Sequence, residues 1–122
     1  MGKTVLICDD VEEIRMLLSM AIEPYEDFQV VGEAADGNEA VAKCRELAPD
    51  VVLLDVNMPH KSGLQALAEI RDVVPLAKVI MFTGFESSVL GSAASDLGAD
   101  DYIEKGTPLD EIVRRIRAVV AS

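Results

Sequence analysis

The chain has 122 residues, half of them hydrophobic and 27% charged, a balance that supports one globular domain with its own core and is too short for two. Acidic residues outnumber basic ones 22 to 11, giving a net charge of −11, and a surface of that sign repels phosphate backbones and anionic lipid. Direct contact of this domain with nucleic acid or membrane is therefore not expected; cations and basic protein surfaces suit it better. In chain order, the first strand-like run is "TVLIC" (4–8), followed by a helical pattern on Ile14, Leu17, Leu18, Ala21 and Ile22. The run "FQVVGEA" (28–34) precedes a second helix with Ala40, Val41, Cys44 and Leu47 on one face, the two separated by "ADG" (35–37). A third strand, "DVVLLD" (50–55), leads to a helix on Leu64, Leu67, Ala68 and Ile70. The run "AKVIMFT" (77–83) is followed by a weaker pattern on Val89, Leu90, Ala93, Ala94 and Leu97, and a short "DYIEK" (101–105) by a last helix on Leu109, Ile112, Val113, Ile116, Val119 and Val120.

Pro49, Pro59, Pro75 and Pro108 fall between elements or at a helix start, and Gly98 follows the weak fourth helix as a stop signal. Cys8 and Cys44 follow no metal or redox spacing and read as two buried free thiols. No basic-then-apolar leader opens the chain and no apolar run approaches the length of a membrane span, so the expected location is the cytoplasm. Five strand-then-helix rounds without linker or repeat predict one α/β domain over 1–122. Its sheet is parallel and doubly wound, with helices on both faces. Runs such as Val51 to Leu54, apolar without alternation, suit strands buried on both sides.

In such a sheet every strand points its carboxyl end at one edge, and ligands bind there. Strand one delivers Asp9 and Asp10, strand three Asp55, strand four Thr83, and strand five Tyr102 and Lys105. Three carboxylates held close repel one another unless a cation neutralises them, and Mg2+ favours a few carboxylate, carbonyl and water oxygens. A divalent ion, an ammonium, a hydroxyl and a carboxylate nucleophile are together what phosphoryl transfer through an acyl phosphate requires.

These residues, with the stretch "DVNMPHKSG" that sets Asp55, Met58, Pro59 and Gly63 in a D-x-x-M-P-x-x-x-G pattern, resemble the receiver domain of two-component response regulators over about residues 4–121. The resemblance implies a flavodoxin-like sheet in the order 2-1-3-4-5 with five flanking helices. It implies Asp55 as phosphoacceptor, Mg2+ held by Asp10, Asp55 and the carbonyl of Asn57 with Asp9 acting through water, and Lys105 on a phosphoryl oxygen. Thr83 would hydrogen-bond the phosphoryl group, and Tyr102 would swing inward as Thr83 moves. The implied donor is a phosphohistidine on a sensor kinase or a histidine phosphotransfer protein. The implied receiver of the signal is an output domain or target protein, with a phosphorylation-dependent homodimer as a further option. Such a domain catalyses its own phosphorylation and dephosphorylation without turning over an external substrate. Phosphorylation is expected to reorganise residues 84–97, the segment with Gly91 in mid-helix, by way of Thr83. Two positions depart from the family pattern: Gly106 stands where a proline is frequent, and Gly84 where an alanine is, so both loops are expected to be looser.

Plainer readings exist for each residue. Asp9 and Asp10 suit a helix start, Asp55 a loop cap, Lys105 a solvated loop, and Tyr102 ordinary packing. His60 reads as an exposed loop residue, and Met16 and Met20 as helix-face residues. Competing functions are a haloacid-dehalogenase-type phosphatase, a flavin-binding domain and a phosphorylation-silent receiver acting as an interaction module. The first needs an acid two residues after the nucleophile, where Asn57 stands; the second needs a phosphate loop where "DDVEE" stands. The complete acidic site argues against the third.

Overall fold

A computed structural model describes residues 2–84 and 96–122. Five parallel strands, β1 (Lys3–Cys8), β2 (Phe28–Ala34), β3 (Val51–Asp55), β4 (Lys78–Thr83) and β5 (Asp101–Glu104), form one sheet in the order β2-β1-β3-β4-β5. The helices among the described residues are α1 (Glu12–Ile22), α2 (Gly37–Leu47), α3 (Gly63–Val73) and α4 (Leu109–Ala121). The helix expected over 86–97, with Val89, Leu90, Gly91, Ala93 and Ala94, lies outside the described residues apart from its end; there Leu97 is exposed and Gly98 takes a φ of +102°.

The uninterrupted apolar strands are explained by what covers them. Successive side chains of a strand alternate between faces, so each central strand supplies two cores. Leu6, Cys8, Val52, Leu54, Val79 and Met81 pack under α2 and α3, with Ala40, Cys44, Leu67 and Ile70. Val5, Ile7, Val51, Leu53, Ile80 and Phe82 pack under α1 and α4, with Leu18, Ile22, Ile112 and Ile116. All five residues of β3 are buried, Asp55 included. Cys8 and Cys44 are buried free thiols, as their setting in a strand and a helix predicts.

The helical seams are narrower than their apolar patterns. Leu17 and Leu109, expected in the core, are 49% and 40% exposed, and Ala68 faces outward while Ala66 is fully buried. Leu17 joins Met16 and Met20, which are 53% and 65% exposed, in an apolar strip along α1.

Local hydrogen bonds fix the helix starts. Asp36 accepts from the Glu39 N–H at 2.8 Å, and Ser62 and Gln65 form a reciprocal capping box. Helix α1 has no side-chain cap at its own N-cap residue, Val11. Asp9 and Asp10 stand just before it, and the Asp9 carboxylate accepts from the Val11 N–H.

Candidate functional site

The strand register brings the acidic residues to one edge. Cys8 pairs with Leu54, so the next residues along β1 and β3, Asp9 and Asp55, leave the sheet side by side. One carboxylate oxygen each from Asp9, Asp10 and Asp55 lie within 4.8 Å of one another. Asp9 is 1% exposed and Asp55 2%, whereas Asp10 faces solvent. Lys105 enters from the loop after β5 and places its Nζ 2.9 Å from Asp9 Oδ2 and 3.2 Å from Asp55 Oδ2.

Backbone donors hold the two buried carboxylates from the other side. Asp9 Oδ1 accepts from the Val11 N–H at 2.9 Å, and Asp55 Oδ1 from the Asn57 N–H at 3.2 Å. The plainer reading of Asp9 as a residue of the helix start holds only in part: its carboxylate reaches the N–H of Val11, just before α1, and also serves the cluster. Asn57 itself lies exposed at the rim.

One lysine does not balance this charge. Burial, and next the nearby Asp9 carboxylate, push Asp55 up to about 6 in spite of Lys105. Burial also works against the Lys105 ammonium, but its hydrogen bonds and attraction to Asp9 and Asp55 outweigh that, and its pKa is raised. Asp55 is therefore largely ionised at neutral pH, beside a second carboxylate, with excess negative charge in a hard-oxygen setting. That donor set fits a hard divalent cation.

Gly63 keeps the geometry in place. A Cβ there would come within 1.9 Å of the Asp55 carbonyl oxygen, and the Gly63 N–H donates to Val56 O at 2.8 Å. The start of α3 is thus pressed against the end of β3, which no side chain allows. A Cβ at Gly37 would likewise meet the Lys61 carbonyl oxygen at 2.1 Å, so α2 abuts the loop after β3.

Thr83 is fully buried at the end of β4. Its carbonyl accepts from the Lys105 N–H at 2.6 Å, so the backbone carrying the lysine hangs from the threonine. Tyr102 is not part of the carboxylate cluster. It pairs with Met81 in the register, packs half-buried against the core under α2 and α3, and its carbonyl accepts from Arg115 Nη2 at 3.0 Å. His60 is exposed, with a φ of +67°.

Two contributors escape sequence reasoning. Arg15 of α1 donates through Nη1 to the Asp9 carbonyl at 2.8 Å, and its Nε lies 2.8 Å from Glu33 Oε1 on β2. The pair is separated by 18 residues and meets only because β2 lies beside β1. No short motif announces it.

The chain matches the response regulator receiver domain family over residues 5–117. It belongs to that family. Receiver domains of two-component systems are signalling domains rather than multiple-turnover enzymes on external substrates, and this one shares their function and their flavodoxin-like fold. Among curated relatives, the response regulator protein VraR of Staphylococcus epidermidis is 38% identical over 117 residues, covering 96% of this chain and 56% of that protein. The chain thus spans about half the length of the curated relatives it matches. Among solved structures, the response regulator domain of Thermotoga maritima CheB superposes with a TM-score of 0.93 at 33% identity, over 100% of this chain and 98% of that one. CheY of Borrelia burgdorferi, solved in a complex with CheX, BeF3 and Mg2+, superposes with a TM-score of 0.91 at 30% identity, over 96% and 88%. Membership in this receiver family excludes the haloacid-dehalogenase and flavin-binding readings. No helix among the described residues is long and apolar enough to cross a membrane.

Proposed function

We propose that Asp55 is the phosphoacceptor of this receiver domain and that Mg2+ is its cofactor, in one structural unit spanning 1–122. The observation that carries the reading is the convergence of Asp9, Asp10 and Asp55 within 4.8 Å, with Lys105 bridging the two buried members. In the transfer, an Asp55 carboxylate oxygen forms a bond to phosphorus while the bond from phosphorus to the donor's imidazole nitrogen breaks, and the departing ring keeps the electron pair. Asp10, Asp55 and the Asn57 carbonyl would hold the ion directly and Asp9 through water; bound there, Mg2+ offsets charge on the phosphoryl oxygens. Lys105 gives one equatorial oxygen a fixed cationic partner. Thr83 supplies the hydroxyl that meets the phosphoryl group, and because its carbonyl holds the Lys105 N–H, movement at Thr83 reaches the lysine loop directly. Tyr102 lies two residues before Glu104, the β5 partner of Thr83, where it responds to that movement through packing.

The phosphoryl donor is a sensor histidine kinase or a histidine phosphotransfer protein, and the signal passes to an output domain or target protein in the cytoplasm. The Mg2+ bound in the CheY complex from Borrelia burgdorferi supports the choice of ion. The test is intact-mass spectrometry after incubation with acetyl phosphate and Mg2+. One base-labile phosphoryl group is expected on the natural chain and none on Asp55→Asn, because an amide cannot form the acyl phosphate. Equal labelling of the variant overturns the assignment, and no labelling of either chain supports the phosphorylation-silent module instead.

A further inference from the structure

Asp10 is the exposed member of the acidic cluster, and among the described residues no hydrogen bond holds its carboxylate. Its neighbour is held from every side. The Asp9 N–H donates to Ala34 O at 3.0 Å, the Asp9 carboxylate receives Val11 N and Lys105 Nζ, and the Asp9 carbonyl receives Arg15 Nη1 at 2.8 Å. That last bond determines more than Asp9. The peptide joining Asp9 to Asp10 is planar, so the direction of the Asp9 carbonyl also sets the direction of the Asp10 N–H and the place of the Asp10 Cα from which its side chain starts.

The guanidinium is itself clamped. Its Nε lies 2.8 Å from Glu33 Oε1, and the Arg15 side chain is only 16% exposed. Glu33 pairs with Ile7 in the sheet register, and Ile7 packs under α1, so Glu33 stands on the face from which Arg15 reaches down. The planar fork of arginine spans both partners at once, one carboxylate and one carbonyl, which a lysine ammonium on its flexible stem does not reproduce.

We propose that Arg15, anchored by Glu33, is a positioning residue for cation binding at this site: by fixing the Asp9–Asp10 peptide it keeps the Asp10 carboxylate in the cluster. The inference rests on the reading of Asp9, Asp10 and Asp55 as the cation site. Its signature is a sign. Arg15 is a cation beside a cation site, so by charge alone its removal tightens Mg2+ binding. Positioning requires the opposite.

The experiment is calorimetric titration of the 122-residue chain with MgCl2, with thermal unfolding in EDTA run in parallel. Arg15→Gln is expected to weaken Mg2+ binding about tenfold, the worth of one charge-assisted hydrogen bond. Arg15→Lys fails to restore it, and Glu33→Gln weakens binding less but in the same direction. In an Asp10→Asn background, Arg15→Gln does not weaken binding further and only the slight tightening expected from charge remains, since the group it positions is gone; a merely structural role would weaken both backgrounds alike. Unchanged or tighter binding in Arg15→Gln overturns the proposal. Should that variant not fold, Glu33→Gln decides, because Glu33 is half-exposed, and unchanged affinity there overturns it equally. The reading of the site fails by a different result, Asp10→Asn alone leaving Mg2+ affinity intact.

Discussion

The two ends of the sheet treat carboxylates in opposite ways. At the amino end, Asp27 has a guanidinium to itself: Arg117 meets its two oxygens at 2.7 and 3.0 Å and lies over the rings of Tyr25 and Phe28, 4.6 and 5.8 Å from their centroids. Asp50, beside it, accepts from both the N–H and the hydroxyl of Thr4. At the carboxyl end, Asp9 and Asp55 are buried and share one lysine, with Asp10 close by. The consequences differ in sign. The hydrogen bond from Arg117 lowers the Asp27 pKa, while burial and the neighbouring Asp9 push Asp55 up to about 6. A chain that can pair its carboxylates one to one at one end leaves them crowded at the other. The crowding costs stability, and a cation bound among these carboxylates would offset that cost.

The largest effect is expected from breaking the backbone that holds the carboxyl end together. Gly63→Ala places a Cβ 1.9 Å from the Asp55 carbonyl oxygen, and that atom belongs to backbone in the middle of the fold. No side-chain rotation relieves the collision, so α3 or the end of β3 has to shift. A loss of roughly 3 kcal/mol in urea unfolding is expected, together with a fall in phosphoryl labelling. Stability within about 0.5 kcal/mol of the natural chain would show that the contact between α3 and β3 is slack.

Next comes the crowding itself. An unfolded carboxyl group ionises near pH 4, and the folded Asp55 near 6, so the folded state holds this proton more tightly. Its contribution therefore favours folding below about pH 4 and is lost as the pH rises from about 4 to about 6. Asp55→Asn removes that loss. Measured in EDTA at pH 7, the variant is expected to be more stable by on the order of 2 kcal/mol, with the gain vanishing near pH 4. Mg2+ narrows the gap by stabilising the natural chain more. A variant less stable than the natural chain at pH 7 would mean that Lys105 fully compensates Asp55.

How much of this is legible in the sequence depends on the range of the interaction. Each strand start or end lies within one residue of its expected place: β3 begins at Val51 rather than Asp50, and β5 ends at Glu104 rather than Lys105. Strands buried on both faces carry long apolar runs, and the burial that shapes them is a property of the run itself. The rim residues follow, since parallel strands bring their carboxyl ends to one edge. Helix faces are less legible. Leu17 and Ala68 fit the helical period yet face outward, because period alone does not say how wide a stripe the sheet covers. The motif marks Gly63 but not the reason for it, the Asp55 carbonyl pressed against its Cα, and no local pattern marks the Arg15–Glu33 clamp; both depend on which elements become neighbours.

The smallest effect tests the amino end and should carry the opposite sign. Asp27 has a lowered pKa in the folded state, so its pairing contributes stability above the unfolded carboxylate pKa and loses it as the pH falls toward the folded value. Asp27→Asn is therefore expected to lower Tm at pH 7 and to leave it unchanged in strong acid, the mirror image of Asp55→Asn. Both partners are about half-exposed, at 50% and 45%, so solvent screens the pair and the drop in Tm is smaller than the rise from Asp55→Asn. High salt shrinks it further, since exposed charges are screened within about 10 Å at 0.1 M ionic strength. Phosphoryl labelling stays at the natural level, because the ion pair lies at the end of the sheet away from Asp55. Differential scanning calorimetry across pH, paired with labelling, reads both properties. A raised Tm at pH 7, or a loss of labelling, would show that the two ends are not electrically independent and that charge at the amino end is felt by the site.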